Sequence, residues 1–434
     1  MKTETEARPA EAVPRPPDNG RLLAATAPDH HTHLATFGPL PGTAGPQLLE
    51  QVRLSGLTGR GGAGFPAAVK LQAVVAAPGS AVVVANGAEG EPASAKDRQL
   101  LLTATHLVLD GVQVAARVTG AGEAWVYVRA DAARAVRAAL AERVAVGVDR
   151  CPVTVVEAAE GFVSGQETAV VSRLNGGPPL PRFARLRVTE RGVGGRPTLV
   201  QNVETLGHLA LIARYGSAWF RAVGSPDAPG TFLATVHQVG ATGEPGAVWE
   251  VPHGLPLGRL LATAVAEPEA GLQAVLIGGY HGRWLRLPDA LDAPLSAAGL
   301  AEFGGSLGAG VVIPLSAAEC GLEATARIVR YLAAESAKQC GPCRFGLPQL
   351  ATVISELAAA SRAGSGNAGM GAIKAIREAA GLVEGRGACH HPDGTARLVR
   401  SALDAFEDDV LLHGRGRCTS AAARTAVPAE GGLR

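Results

Sequence analysis

The sequence predicts a layered α/β domain, followed by a small β-rich module and a C-terminal helical bundle. Three observations carry that assignment. Between about residues 46 and 215, apolar runs rich in β-branched residues (Ala81 to Ala85, Ala124 to Val128, Val153 to Val156) alternate with helical stretches such as Asp131 to Val144. Alternation of this kind builds a sheet with helices packed on it. From Thr231 to about Gly282 the texture changes to short strands, TFLATVHQVG and AVWEVP, then a short helix near Leu257 to Ala264 and the strand AVLIGG, an order that resembles a β-grasp module. After Pro314, residues Leu322, Ala326, Val329, Leu332 and Ala333 fall on one stripe at helical spacing. The expected organisation is a flexible leader over 1–45, the α/β domain over 46–228, the β-grasp module over 229–314, the helical domain over 315–414 and a flexible tail over 415–434, with glycine-rich hinges at 363–371.

Composition narrows the function. The chain has 434 residues, with 40 Lys+Arg against 39 Asp+Glu, so no net field exists to hold nucleic acid or an anionic membrane surface. Apolar runs stop short of the roughly 20 residues a membrane span needs. Six Cys and an N-terminus reading MKTETEARPAEAVPRPPDNG do not make a secreted disulfide scaffold, so a reducing cytoplasm is expected. Only five Lys are present, Lys2, Lys70, Lys96, Lys338 and Lys374, which makes each of them informative. The leader's His30, His31 and His33 read as solvated histidines, with a transition-metal site as the alternative.

The segment GLTGRGGAGFPAAVK places Gly59, Gly61 and Gly64 in GxGxxG spacing, which lets backbone N–H groups approach a phosphate. The preceding PQLLEQVRLSG reads as an amphipathic helix and not as a buried strand, which disfavours an ordinary dinucleotide-binding turn. Arg60 inside the loop and Lys70 beyond it supply two cations for a phosphate; a plain glycine-rich turn is the competing reading. The next strand ends in NGAEGEPASAKDR, bringing Asn86, Glu89 and Glu91 to a strand C-terminus, the usual mouth of an α/β site. Lys96, Asp97 and Arg98 are expected to pair among themselves at a helix start. Cys340 and Cys343 form CxxC, and Cys389 lies 46 residues beyond Cys343, a metal-type pattern. Cys151, Cys320 and Cys418 lack matching spacing and read as incidental or buried thiols.

These segments, together with GFVSGQETAVVSRLNG, GRPTLVQNVETL, LGAGVVIPL and AAESAKQCGPCRFG, closely resemble the family of flavin-bearing, NADH-oxidising subunits of respiratory complex I. The same family includes flavin subunits of NAD-linked hydrogenases and formate dehydrogenases, and the resemblance runs over about residues 50 to 412. It implies a Rossmann-like FMN-binding layered domain, with FMN held by Gly59, Arg60, Gly61, Gly62 and Lys70, and with Asn86, Asn202 and Gln201 near the flavin. It also implies that Glu89 and Glu167 line the flavin and nicotinamide pocket beside Gly165 and Gln166, and that Phe65 supports the adenine of NAD(H). Cys340, Cys343 and Cys389 correspond to ligands of a [4Fe–4S] cluster. The implied activity is that of an NADH dehydrogenase-like flavoprotein that passes single electrons through the cluster to a ferredoxin or thioredoxin-like [2Fe–2S] partner.

The chain departs from the family pattern at several places. Ala88 stands where a carboxylate is expected, and Gln166 replaces one acid of a pair. Ala184 and Arg187 stand in PRFARLRV where a Lys and a Phe are expected, and Ala73 at another aromatic place; loss of those contacts would weaken NADH binding by roughly tenfold to a thousandfold. Ala337 replaces the first cluster ligand, so the fourth iron is left to His390 or His391 or stays open, and a zinc set or an empty site are the alternatives to a cluster. Two other functions therefore stay open: an FMN electron shuttle between protein carriers without NADH oxidation, and a non-catalytic scaffold, possibly zinc-stabilised.

Overall fold

In the computed structural model, residues 20–239, 246–265, 271–363 and 369–420 are described. The leader up to residue 19, most of the glycine-rich hinge and the tail beyond 420 lie outside them. The chain opens with helices α1 (His30–Phe37), α2 (Gly45–Ser55) and α3 (Ala67–Ala76), then alternates β1 (Val82–Gly87), α4 (Lys96–Thr103), α5 (Thr105–Thr119), β2 (Glu123–Val128), α6 (Ala130–Val146), β3 (Val153–Glu157), α7 (Glu167–Leu174), β4 (Thr198–Asn202) and α8 (Val203–Arg221). The four strands form a parallel sheet in the order β3-β2-β1-β4. Alternate residues of β1 serve opposite faces: Val83 and Ala85 enter one apolar cluster, Val82 and Val84 another, as a strand covered on both sides requires. Gly111 of α5 lets that helix lie directly on α8, since a Cβ there would sit 2.0 Å from the Leu206 carbonyl oxygen.

Strand order positions the site. From β1 the chain moves outward through β2 and β3, then returns to the other side of β1 as β4, so the crevice between the carboxyl ends of β1 and β4 is a topological switch point. Asn86 and Asn202 are register partners at that crevice.

A second, five-stranded sheet has the order β6-β5-β9-β7-β8, built from β5 (Thr231–Val236), β6 (Ala247–Pro252), β7 (Leu272–Ile277), β8 (Arg283–Arg286) and β9 (Val311–Ser316). All its pairings are antiparallel except β5 with β9. The helices Gly321–Ala334, Leu347–Ala363, Gly369–Val383, His391–Ala405 and Glu407–His413 close the chain. Leu322, Ala326, Val329 and Leu332 are buried as their stripe predicts, whereas Ala333 is half-buried at its edge. The bundle is tied to both sheets: the amide of Phe162 donates to Glu335 (3.1 Å) and that of Trp284 to Ser401 (3.1 Å). Among the described residues, no helix is long and apolar enough to cross a membrane.

The flexible-leader expectation is corrected from residue 20 onward. The Glu250 carboxylate accepts the amides of Arg21, Leu22 and Leu23, and the Arg21 guanidinium donates to the carbonyls of Phe220 and Trp219. Asp29 caps α1, and His33 is buried with its Nε2 2.8 Å from Asp110, which also accepts from Arg143 and Arg214. His33 is therefore neither a solvated side chain nor a metal ligand; it is a core histidine in an ionic network.

Candidate functional site

Two adjoining cavities, of about 660 and 530 Å³, open at the β1/β4 crevice and share Gly61, Asn86, Gly165, Gln166, Asn202 and Cys389. Both volumes fall in the range of cofactor and substrate clefts. The glycine loop forms one wall. Gly59 closes it by donating to the Phe65 carbonyl (2.8 Å), Gly62 and Gly64 take positive φ of 106° and 63°, and a Cβ on Gly61 would lie 3.4 Å from that of Asn202. Residues 60–63 form a turn, and the amides of Gly61, Gly62, Ala63 and Gly64 make no close, well-aligned hydrogen bond among the described residues, which leaves them available to a phosphate group.

Arg60 requires a correction. Its guanidinium turns into the interior, donating to the Thr58 and Thr231 carbonyls (2.9 and 3.0 Å) beside Glu204, and its amide donates to Thr205. The physical reason is a buried carboxylate, Glu204, that draws the cation inward; Arg60 touches the smaller cavity but offers it no free charge. Lys70 stays on the larger cavity, donating to Glu167 (2.5 Å) and the Val200 carbonyl (2.7 Å), so an incoming anion would compete with Glu167 for it.

Glu89 lies on the smaller cavity with φ of 44°, and its carboxylate caps α4 by accepting from Ser94 Oγ and the amides of Asp97 and Arg98. Burial raises its carboxyl above the ordinary range, and Asp97 adds to the effect. Glu91, on the same cavity, accepts the Tyr280 amide (2.8 Å), and burial pushes it up to about 7. Lys96 pairs with Asp97 as expected, and also with Glu204, but Arg98 pairs instead with Asp131. Gln166 caps α7, its side-chain oxygen accepting from the amides of Thr168 and Ala169, so an uncharged amide does the capping. Asn86 donates to the Gly165 carbonyl and Asn202 to Asp97. Gln201 lines the larger cavity, and its buried Nε2 has no hydrogen-bond partner among the described residues. Ala88 is buried in the apolar cluster under the sheet and lines neither cavity.

The outer wall sets Phe65 and Arg187, both named from the sequence, beside Phe183, Arg182 and Arg185, which the sequence reading missed. Phe65 and Phe183 both line the larger cavity, 46% and 80% exposed, an unusual state for large aromatic rings. Arg182, Arg185 and Arg187 line the same wall, and their guanidinium groups make no ion pair among the described residues. Attention to Ala184 and Arg187 as losses hid Phe183, one residue away, as an available stacking surface.

The helical domain reaches the cleft through Cys389 and His390, which line both cavities. Cys343 sits on a π-helical turn, Pro342–Gly346, and burial pushes its thiol up to about 12. Burial also acts to raise Cys340, but the amides of Ala388 and Cys343 outweigh it and hold that thiol below its ordinary value. Ligand atoms on one tetrahedral ion are only about 3.8 Å apart when both are sulfur. Cys340, Cys343 and Cys389 do not form such a tight group, whereas another set of three among the described residues does. The Cys340 and Cys343 thiols nonetheless touch each other, with Cys389 near enough to act on Cys343, so the three thiols face one another as ligands of an iron–sulfur cluster must. His391 is excluded as a fourth ligand because both ring nitrogens are engaged, with His281 (3.1 Å) and the Leu332 carbonyl (2.8 Å). His390 is exposed and uses only Nδ1, toward Asp393.

Both halves of the chain match known proteins. The family model for the Nuo51 FMN-binding domain matches residues 52–210, and that for the NADH-ubiquinone oxidoreductase-F iron-sulfur binding region matches residues 323–413. An F-type NADH-quinone oxidoreductase chain of Rhizobium meliloti (strain 1021) is 30% identical over 382 residues, covering 85% of this chain and 88% of the relative. The chain belongs to the F-type family of NADH-quinone oxidoreductase subunits. Another F-type relative, from Streptomyces coelicolor, is also 30% identical, over 385 residues covering 85% of this chain and 83% of its own. Among solved structures, an NAD+-reducing [NiFe]-hydrogenase in the H2-reduced state superimposes on this F-type chain with a TM-score of 0.76 at 29% identity. The match covers 86% of this chain and 66% of the hydrogenase chain. FMN fits the cleft on two local grounds: loop amides without a close hydrogen bond suit its phosphate, and the orphaned Gln201 Nε2 suits a polar ring edge.

Proposed function

We propose that this chain is an NADH-oxidising flavoprotein that passes electrons singly to an iron–sulfur cluster held by Cys340, Cys343 and Cys389. The observation that carries the reading is the position of Cys389 on both cavities, beside the glycine-loop cradle. FMN bound here would supply the conversion of a two-electron hydride into single electrons, and the cluster would supply the one-electron exit. The chain's own residues bind and orient. Amides of the Gly61–Gly64 loop bind a phosphate, Gln201 Nε2 donates to a carbonyl, and Asn86 and Asn202 fix the crevice floor. Phe65 and Phe183 offer faces for the adenine, and the arginines of residues 182–187 suit the dinucleotide diphosphate. Hydride transfer needs no side-chain acid or base, which fits a cleft whose acids are engaged in capping, pairing or accepting amides.

The same reading treats the first layered domain as Rossmann-like and beginning near residue 20, and the second sheet as a β-grasp module. It makes the partner a ferredoxin or thioredoxin-like [2Fe–2S] protein within a redox complex, in the cytoplasm. Phe183 favours NADH oxidation over a shuttle between protein carriers. The test is an anaerobic NADH titration of protein reconstituted with FMN, iron and sulfide, following flavin absorbance and the broad cluster band. Bleaching of both near stoichiometric NADH is expected. Flavin that stays oxidised in excess NADH yet bleaches with dithionite would overturn the reading.

A further inference from the structure

We propose that Cys320, His413 and Cys418 form a second metal site, for a single zinc ion, separate from the flavin cleft and from Cys340, Cys343 and Cys389. The two cysteines have no motif spacing, yet the fold brings them onto one histidine. Their ligand atoms all lie within 4.8 Å of one another, with Cys320 Sγ 3.5 Å from His413 Nε2. A tetrahedral ion with Zn–S of about 2.3 Å and Zn–N of about 2.0 Å needs an S···N edge of about 3.5 Å and an S···S edge of about 3.8 Å. The first edge is already present, and closing the others takes at most about 1.3 Å from Cys418, which lies on the partly exposed segment after the last helix.

Orientation of the imidazole supports the assignment independently. His413 is fully buried, and its Nδ1 lies 3.1 Å from the Leu357 carbonyl, an acceptor, so Nδ1 carries the proton and Nε2 presents its lone pair to Cys320. Cys320 immediately precedes the helix Gly321–Ala334, where the helix dipole favours a thiolate. Without an ion, burial outweighs that dipole and pushes the Cys320 thiol up to about 12. Beside Cys418, Thr419 is fastened to the buried Asp409 through its amide (3.1 Å) and hydroxyl (2.7 Å), which holds the segment at the site. Two thiolates and one imidazole select zinc over the oxygen-liganded cations, and a water completes the tetrahedron. Binding displaces one proton from each thiol, so occupancy strengthens as pH rises. The ion would clamp the start of the first bundle helix to the C-terminal end of the same bundle.

The test is metal analysis of the full chain carrying its flavin and cluster. About one zinc per chain is expected, with two sulfur ligands and one nitrogen by X-ray absorption. Cys418→Ser and Cys320→Ser are expected to lose the zinc and keep iron and FMN, whereas Cys340→Ser loses iron and keeps zinc. Should Cys320→Ser fail to fold, wild-type protein treated with a chelator answers the same question: its melting temperature falls, while that of Cys418→Ser does not respond. The proposal is overturned by wild-type protein that takes up no zinc on dialysis against it, by zinc that disappears with Cys340→Ser and persists in Cys418→Ser, or by a Cys320–Cys418 disulfide in protein isolated under reducing conditions.

Discussion

Replacing Lys96 by methionine tests the charge network beneath the cleft. Lys96 Nζ lies 2.6 Å from Asp97 and 2.8 Å from Glu204, and Arg60 Nε lies 3.8 Å from Glu204. All four groups are nearly excluded from water, Glu204 at 1% exposure, so two cations balance two carboxylates in a poor dielectric. Burial acts against the Lys96 ammonium, yet Asp97 and Glu204 hold it above its ordinary value. Methionine keeps most of the volume and leaves Arg60 alone against two acids; breaking a buried pair in this way costs about 3–5 kcal/mol. In urea, with a slope of about 3 kcal/mol per molar for a chain of this size, the midpoint should fall by about 1 to 1.7 M. Lys96→Met with Glu204→Gln restores charge balance, and its glutamine oxygen still accepts the Leu233 amide, so the pair should recover about 2 kcal/mol. Fluorescence-monitored unfolding of both variants decides the matter. A midpoint shift below about 0.3 M for Lys96→Met, or a double variant as unstable as the sum of its parts, would refute the network.

Glu91 should make stability pH-dependent. Its carboxyl holds a proton up to about 7 in the fold but only to about 4.5 when unfolded, so the folded state loses stability as pH rises through that window. At 1.36 kcal/mol per pH unit the loss is at most about 3.4 kcal/mol, less in practice because the side chain opens on the cleft. Glu91→Gln keeps the acceptor for Tyr280 and should flatten the melting temperature between pH 5 and 8; identical profiles would contradict this. Phe183→Ala should raise the KM for NADH about tenfold with little change in kcat or stability, and an unchanged KM would remove the ring from the binding wall. Gly90→Ala places a Cβ 2.3 Å from the Phe162 carbonyl oxygen and must push the loop that carries Gly165 and Gln166. Its FMN affinity, read by quenching of flavin fluorescence, should drop more than about tenfold, and wild-type affinity would show that the loop yields without cost.

The strand pattern and the carboxyl-end location of the site were legible because both follow from local periodicity: Val82 to Ala85 reads as a buried strand in any context, and Asn86 follows it directly. The cysteine motif was legible for the same reason, since CxxC needs no tertiary information. Arg60 was misread because loop spacing says nothing of side-chain direction, and Glu204, which draws it inward, lies 144 positions away in sequence. The leader was misread because its Pro- and Ala-rich composition hides one capped helix whose His33 finds Asp110 only in the folded chain. Cys320 and Cys418 escaped for a related reason, their partner histidine being supplied by a third segment.

The central claim is that electrons leave the cleft through the cluster at Cys389. Rapid mixing of NADH with wild-type protein and with Cys389→Ser, both loaded with FMN, tests it directly. Flavin should be reduced at similar rates in both, while the cluster band and reduction of a [2Fe–2S] acceptor protein respond only in the wild type. Acceptor reduction that proceeds equally fast in Cys389→Ser would contradict the account.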